Sequence, residues 1–298
     1  MTDVPRLFDR ALVRRHQGRA LAALPATFLL DRAAEDLGDR LQTVTRGFSR
    51  IVDLGTPGAG AADVLAARFA GATVTRIGDV VALRPDRLVE DLEAPALGQE
   101  CADCVVSLLA LQTVNDLPGL LMQIRRALVA DGLFIAALAG GDTLKELRAC
   151  LLEAEVEETG GAAPRIFPFA DVRTLGQLLQ RAGFALPVVD SETLVVRYGD
   201  PLRLLADLRA MGAANALADR SRRPLRRAVL MRALELYRAR FADADGRVRA
   251  TFEIVWLSGW APHESQQKPL KPGSARVRLA DALRQPDYAK PATKSEAP

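Results

Sequence analysis

The residues best suited to chemistry are an acid, a glycine-rich turn and two later acids. Asp53 ends the run Arg50-Ile51-Val52-Asp53-Leu54 and stands just before Gly55-Thr56-Pro57-Gly58-Ala59-Gly60. Glycines turn tightly and let a ligand approach the backbone, because they lack a Cβ. The Ala-, Leu- and Val-rich stretch Ala61 to Phe69 reads as a helix whose first N–H groups and positive dipole end face the turn. Strand, glycine turn and helix make the first unit of a nucleotide-binding α/β fold. Asp79 lies about 20 residues beyond the turn, where such folds place the acid that hydrogen-bonds ribose hydroxyls. Taken alone, Asp79 reads better as a helix cap or a loop acid; the glycine turn beside it favours the ribose role. Asp91, with its apolar neighbour Leu92, suits an adenine ring and its amino group.

These groups need a sheet to hold them. Ile51 to Leu54 reads as a first strand, Gly71 breaks the first helix, and Thr73 to Ile77 is a second strand, β-branched at alternate positions. Leu88-Val89 is a weak third. Asp103 to Leu111 is the near-continuous apolar run expected of a central parallel strand buried on both faces. Open α/β sheets bind ligands beside the carboxyl ends of such strands, which makes Gln112 and Asn115 candidates for substrate contact. Leu117-Pro118 starts a helix running through Leu128, with proline at an early position where its missing N–H costs nothing. The turn Asp131-Gly132 precedes a strand from Leu133 to Leu138. Asp142 and Thr143 follow that strand and are further substrate-contact candidates. Thr143 with Glu146 fits a capping box opening a helix to Glu158.

Asp171 to Ala182 is a helix capped by Gly183, and Val188 to Asp190 with Thr193 to Tyr198 gives a sixth strand. A helical insertion follows over residues 201–240, then a last strand from Ala250 to Leu257. The fold class is therefore α/β, a doubly wound, mostly parallel sheet with an antiparallel edge strand and a helical insertion before the last strand. Residues 1–47 form a helical lead-in, interrupted near Gly18 and Pro25, that either lids a ligand site or packs at the sheet edge. Residues 48–262 form the α/β domain. Residues 263–298 read as a flexible tail rich in Lys, Pro and Gln.

Composition narrows the function classes. With 49% apolar and 26% charged residues, the 298-residue chain is globular. Its net charge of +3, with Arg interspersed among Asp and Glu, gives no nucleic-acid signal. Three cysteines point to a reducing compartment. No apolar run approaches the ~18 residues of a membrane span. Arg6, Arg10, Arg14, Arg15 and Arg19 resemble a transit peptide, but Asp3 and Asp9 interrupt them and no cleavage motif follows, so they read as a basic helix. Cys101-Ala102-Asp103-Cys104 has redox or zinc spacing without a second ligand pair, so Cys104 reads as a small buried hydrophobe. Two histidines, both outside the core pattern, do not supply a two-His-one-carboxylate iron site, and no metal site is expected. Neither a G-x-S-x-G elbow nor a P-loop lysine is present.

Asp53-Leu54-Gly55…Gly58-Ala59-Gly60, Asp79 and the strand from Cys104 to Leu111 resemble class I S-adenosylmethionine-dependent methyltransferases. A narrower resemblance covers nearly the whole chain. It is carried by Leu7-Phe8-Asp9-Arg10, Val114-Asn115-Asp116-Leu117-Pro118, Gly140-Gly141-Asp142-Thr143-Leu144, Arg181-Ala182-Gly183-Phe184, Asp207 to Gly212, Gly259-Trp260, His263-Glu264-Ser265-Gln266, Pro269 and Gly273-Ser274-Ala275. These segments are similar to the arginine-hydroxylase assembly factors of respiratory complex I and their bacterial relatives. The resemblance implies a methyltransferase-like fold with S-adenosyl-L-methionine as cofactor, held by Asp53, Gly55, Gly58 and Gly60 at its methionyl end, Asp79 at the ribose, and Asp91 and Leu92 at the adenine. It implies hydroxylation of an arginine on a peripheral-arm subunit of complex I, and a bacterial cytoplasmic location. Methyl transfer to a small molecule or carrier protein stays open, as does a non-catalytic assembly factor. The family's loop runs acid-x-Gly-x-Gly-x-Gly, whereas here Thr56-Pro57 separates Gly55 from Gly58 by one residue more. Pro57 has no N–H and a fixed φ, so the loop either bulges and admits the methionyl end or blocks it. Gln112-Thr113 stands where the family often has His-Trp.

Overall fold

Apolar runs punctuated by glycine set a strand–helix rhythm, and the chain follows it. The computed structural model describes residues 6–266. In order come α1 (Arg10–Ala22), α2 (Phe28–Gln42), β1 (Arg50–Leu54), α3 (Gly60–Arg68), β2 (Thr73–Gly78), β3 (Arg87–Leu88), β4 (Ala102–Leu108), α4 (Leu117–Ala127) and β5 (Leu128–Ala139). Then follow α5 (Lys145–Thr159), α6 (Val172–Arg181), β6 (Ala185–Tyr198), α7 (Pro201–Ala210), α8 (Arg227–Phe241) and β7 (Val248–Trp260). Residues up to His263 form one compact unit, and Glu264 to Gln266 belong to a second. Pro269, Gly273-Ser274-Ala275 and most of the expected tail lie outside the described residues.

The seven strands form one sheet in the order β3-β2-β1-β4-β5-β7-β6. The first five pair in parallel, and β7 runs antiparallel between β5 and β6. The doubly wound expectation holds, with β7 and β6 as an antiparallel pair at one edge; the strand that opposes the parallel set is β7, one in from the edge strand β6. Strand order reverses between β1 and β4, which is where ligands bind in such sheets. Period-two alternation sends Val52, Leu54, Val105 and Phe134 to one face, against Leu120, Leu121 and Ile124 of α4 and Leu175 and Leu179 of α6. Ile51, Cys104, Val106 and Leu133 go to the other, against Leu37 and Leu41 of α2 and Leu65 of α3. A further core joins α5, α7 and α8 to β7 through Leu147, Leu204, Tyr237 and Phe252.

Three details differ from the sequence expectation. The lead-in is two helices with Gly18 inside α1; the break falls at Ala23 to Thr27, because Pro25 disfavours helical geometry in the residue before it. The insertion is likewise two helices, α7 and α8, separated by a non-helical stretch. The capping box is absent. Leu144, with φ +57, caps α5 without a side-chain bond. The Thr143 hydroxyl instead donates to the Glu253 carbonyl and accepts from the Glu253 N–H, both at 3.1 Å. Glu146 turns inward to accept from the backbone N–H of Thr251 at 3.1 Å and from its hydroxyl. Both residues pin α5 to β7, and that long-range pairing outcompetes the local one.

α1 docks through its own small core, in which Phe8 meets Phe167 edge-on at 5.1 Å beside Leu12, Val13 and Leu217. Its middle lies against the turn after α7. Gly212 there has φ +74, and a Cβ would sit 2.9 Å from the Gln17 Cα. Gly71 has a similar φ of +87 with open space around it. Gly71→Ala is expected to cost about 1 kcal/mol for backbone strain. Gly212→Ala should cost a further 1–3 kcal/mol or so, since it also forces two backbones apart. Urea denaturation of the two variants reads the difference directly.

Candidate functional site

The carboxyl ends of β1, β2 and β4 bring the expected acids to one edge of the sheet. Asp53 is 1% exposed. Neither of its carboxylate oxygens has a hydrogen-bond partner within bonding distance and angle. The nearest cation is Arg76, which stands opposite Asp53 in the parallel β1–β2 register with Nε 3.6 Å from Oδ2. Burial pushes the Asp53 carboxyl up to about 6, with the Thr56 hydroxyl and the Arg76 guanidinium pulling it partly back. Arg76 also grips the glycine turn, donating to the carbonyl of Gly58 and, at 3.3 Å, to that of Leu83.

The turn keeps the backbone its glycines permit. Gly55 has φ +75 and Gly58 φ +98. The close neighbour that excludes a side chain at Gly55 is Leu92, whose Cδ2 would lie 2.6 Å from an added Cβ. The tight approach at Gly55 is thus filled by the chain's own packing. Gly58 and Gly60 each face α2, with Leu30 and Ala34 3.5 Å from the added Cβ. Thr56 Oγ1 accepts from the Leu108 N–H at 3.0 Å, tying the turn to β4. No side chain caps α3, so its first N–H groups still face the turn.

Asp79 sits one residue past β2 with its side chain 4% exposed. Its Oδ2 accepts the backbone N–H of Leu92 at 3.2 Å and Nη2 of Arg10 at 2.7 Å. Arg10, the first residue of α1, also donates from Nε to Asp91 at 3.3 Å, and from Nη1 to the carbonyl and hydroxyl of Thr113, both at 3.2 Å. Glu93 is 3.7 Å from the same Nε. Arg14, one turn on, lies 3.8 Å from Asp79 and 3.6 Å from Asp91. Arg10 was legible only as part of a segment at the start of the chain. Its meeting with Asp79, across 69 positions of sequence, has no local signal.

A cavity of about 180 Å³ reaches from Pro57 of the glycine turn toward α7, and none of Asp53, Asp79 and Asp91 lines it. Pro57, Gln112, Thr113, Thr143, Gln17 of α1 and Phe252 are among its walls. Of the four substrate-contact candidates, Gln112 and Thr143 line the cavity. Gln112 carries a buried Oε1 with no partner. Asn115 instead holds the α1 lead-in, accepting the Phe8 N–H at 2.7 Å and donating to the Phe8 carbonyl at 3.2 Å. Asp142 stands outside the cavity on the surface and pairs with Lys145 at 2.9 Å. The donor set suits an adenosyl group in kind: acids for hydroxyl and amino protons, a turn with side-chain-free backbone, and an uncapped helix start. Asp79 is bonded to Arg10 in this arrangement.

Cys104 is fully buried in β4, where desolvation pushes its thiol well above the usual range. Among the described residues, no group of three or more His, Cys, Asp or Glu side chains is placed to hold a metal ion, and no helix is long and apolar enough to cross a membrane.

Asp53 titrates higher in the folded chain than unfolded, so folding favours its protonated form. Its contribution to stability is therefore full at low pH and is lost as pH rises from about 4 to about 6, a drop on the order of 3 kcal/mol. Asp53→Asn should remove that slope, so that urea midpoints of parent and variant diverge across this pH window and run parallel above it.

No family model matches the chain. It is 36% identical to the mitochondrial arginine-hydroxylase NDUFAF5 of Danio rerio, over 92% of this chain and 89% of that protein. It is 32% identical to the malonyl-[acyl-carrier protein] O-methyltransferase of Laribacter hongkongensis, over 89% of this chain and 94% of the other. Among solved structures, a candidate methyltransferase from Bacillus halodurans superposes with a TM-score of 0.50 at 14% identity, covering 76% of this chain and 99% of its own. The fold is that of class I methyltransferases. With more than a third of its residues shared along nearly its whole length, the chain belongs to the arginine-hydroxylase NDUFAF5 family.

Proposed function

We propose that this protein binds S-adenosyl-L-methionine at the carboxyl ends of β1, β2 and β4 and modifies an arginine side chain of a protein partner, a peripheral-arm subunit of respiratory complex I. The observation that carries the reading is the placement of Asp79, Asp91 and the Gly55 turn beyond the carboxyl ends of neighbouring strands, with Pro57 of that turn, Gln112 and Thr143 in the wall of one cavity. In this reading the carboxylate of Asp79 accepts the ribose hydroxyls, and Asp91 and Leu92 meet the adenine. Gly55, Gly58 and Gly60 give the methionyl end access to backbone, with Asp53 behind them. The cofactor, when bound, supplies a methyl group on an electrophilic sulfonium. The residues around it bind, align and exclude water, which is a positioning effect. Gln112 and Thr143 stand where the partner's side chain would enter.

Two observations favour a second reading. The Arg10 guanidinium is bonded to the ribose acid and Pro57 interrupts the turn, as in an assembly factor that keeps the fold without catalysis.

Titration calorimetry with S-adenosyl-L-methionine separates the two. The enzyme reading expects saturable heat, and a loss of tenfold or more in affinity for Asp79→Asn, the cost of about one charged hydrogen bond. Absence of heat at millimolar ligand supports the scaffold. Intact-mass analysis of complex I subunits from a deletion strain then identifies the chemistry. A subunit lighter by one oxygen atom indicates hydroxylation, and one lighter by a methylene indicates methyl transfer.

A further inference from the structure

We propose that Arg10 is a built-in competitor for the ribose acid, a side-chain gate that an adenosyl ligand must displace. The inference rests on the adenosyl reading above. A ribose hydroxyl and the Arg10 Nη2 would donate to the same carboxylate, and Oδ2 of Asp79 already accepts two bonds, from Arg10 and from Leu92. With its side chain 4% exposed, Asp79 offers a ribose hydroxyl little access while Arg10 covers it.

The guanidinium can leave without taking the helix along. The start of α1 is held by backbone bonds that do not involve the Arg10 side chain: Asp9 N–H to the Ala216 carbonyl at 2.9 Å, Ala218 N–H to the Leu7 carbonyl at 2.9 Å, and Phe8 N–H to Asn115 at 2.7 Å. Phe8, Leu12 and Val13 anchor it further through their own apolar core. Nor does departure leave the acids without a counter-charge, because Arg14 stays within 3.8 Å of Asp79 and 3.6 Å of Asp91. Thr113 is common to the cavity wall and to the Arg10 contacts, so withdrawal of the guanidinium opens the cavity toward Asp79. In the closed arrangement Arg10 makes charge-assisted contacts with Asp79 and Asp91, the stronger class of hydrogen bond, so a ligand pays for displacing it in affinity.

Two measurements test the gate. The first needs no ligand: nitrogen-detected NMR of the Arg10 Nη2 protons, which donate to Asp79 and which a held guanidinium protects from solvent exchange. The signal should be visible in the parent near neutral pH and lost in Asp79→Asn; a signal indifferent to that substitution overturns the proposal. The second is calorimetry with S-adenosylhomocysteine, adenosine and adenine. Arg10→Ala should bind the two ribose-bearing ligands tenfold or more tighter than the parent, with a smaller gain for adenine, since Arg10 also holds Asp91. Arg10→Lys, which keeps a cation without the fork, should fall between and guards against a folding defect in the alanine variant. Equal or weaker binding of ribose-bearing ligands by Arg10→Ala overturns the gate. If no chain binds any adenosyl ligand while the NMR signal responds to Asp79→Asn, the adenosyl reading fails and the gate with it, leaving a structural ion pair.

Discussion

Burying a carboxylate costs free energy unless something nearby answers its charge. Asp53 and Asp79 close neighbouring parallel strands, and both are almost wholly withdrawn from water. Arg76 answers the first and Arg10 the second. The two answers differ in kind. Arg76 lies on the adjacent strand, 3.6 Å off and outside bonding geometry, so burial dominates and the Asp53 carboxyl is pushed up to about 6. Arg10 comes from the far end of the sequence and meets Asp79 at 2.7 Å.

Much of the site's shape follows from this arrangement. Arg76 satisfies the carbonyls of Gly58 and Leu83 while facing Asp53, so a single side chain sets both the electrostatics behind the glycine turn and the path of the turn itself. Arg10 reaches three strand ends at once and places α1 over the cavity, where Val13 and Gln17 form part of the wall. The glycine turn is closed from behind by α2 and from the side by Leu92. A site built this way is a closed one, in which Asp79 is satisfied from within while both oxygens of Asp53 and the Oε1 of Gln112 keep no hydrogen-bond partner.

The fold alone does not choose between chemistries. Proteins named as an arginine-hydroxylase and as an O-methyltransferase share it along most of this chain. What distinguishes one use from another is local: the extra residue at Thr56-Pro57, the pair Gln112-Thr113 beyond β4, and the occupant of Asp79.

The sequence by itself determined the sheet. Period-two alternation, buried β-branched runs and glycine breaks are local signals, and they placed every parallel strand, the order of helices and the likeness to a known family. They also placed Asp53 in the first strand, Asp79 just past the second, and Gln112 and Thr143 in the segments that follow later strands, because position relative to a strand is a local property. Only the tertiary structure decided which groups those residues meet. Thr143 and Glu146 had the spacing of a local cap, and instead pair with β7 about a hundred residues away, since two buried polar groups on facing elements satisfy each other better than a cap exposed to water would. Asn115 looked outward from a strand end and turned out to hold the backbone of Phe8. The decisive contact, Arg10 on Asp79, joins residues with no periodic or spacing relation, and it exists because packing of Phe8, Leu12 and Val13 carries the first helix to the edge where the buried Asp79 and the half-buried Asp91 need a cation.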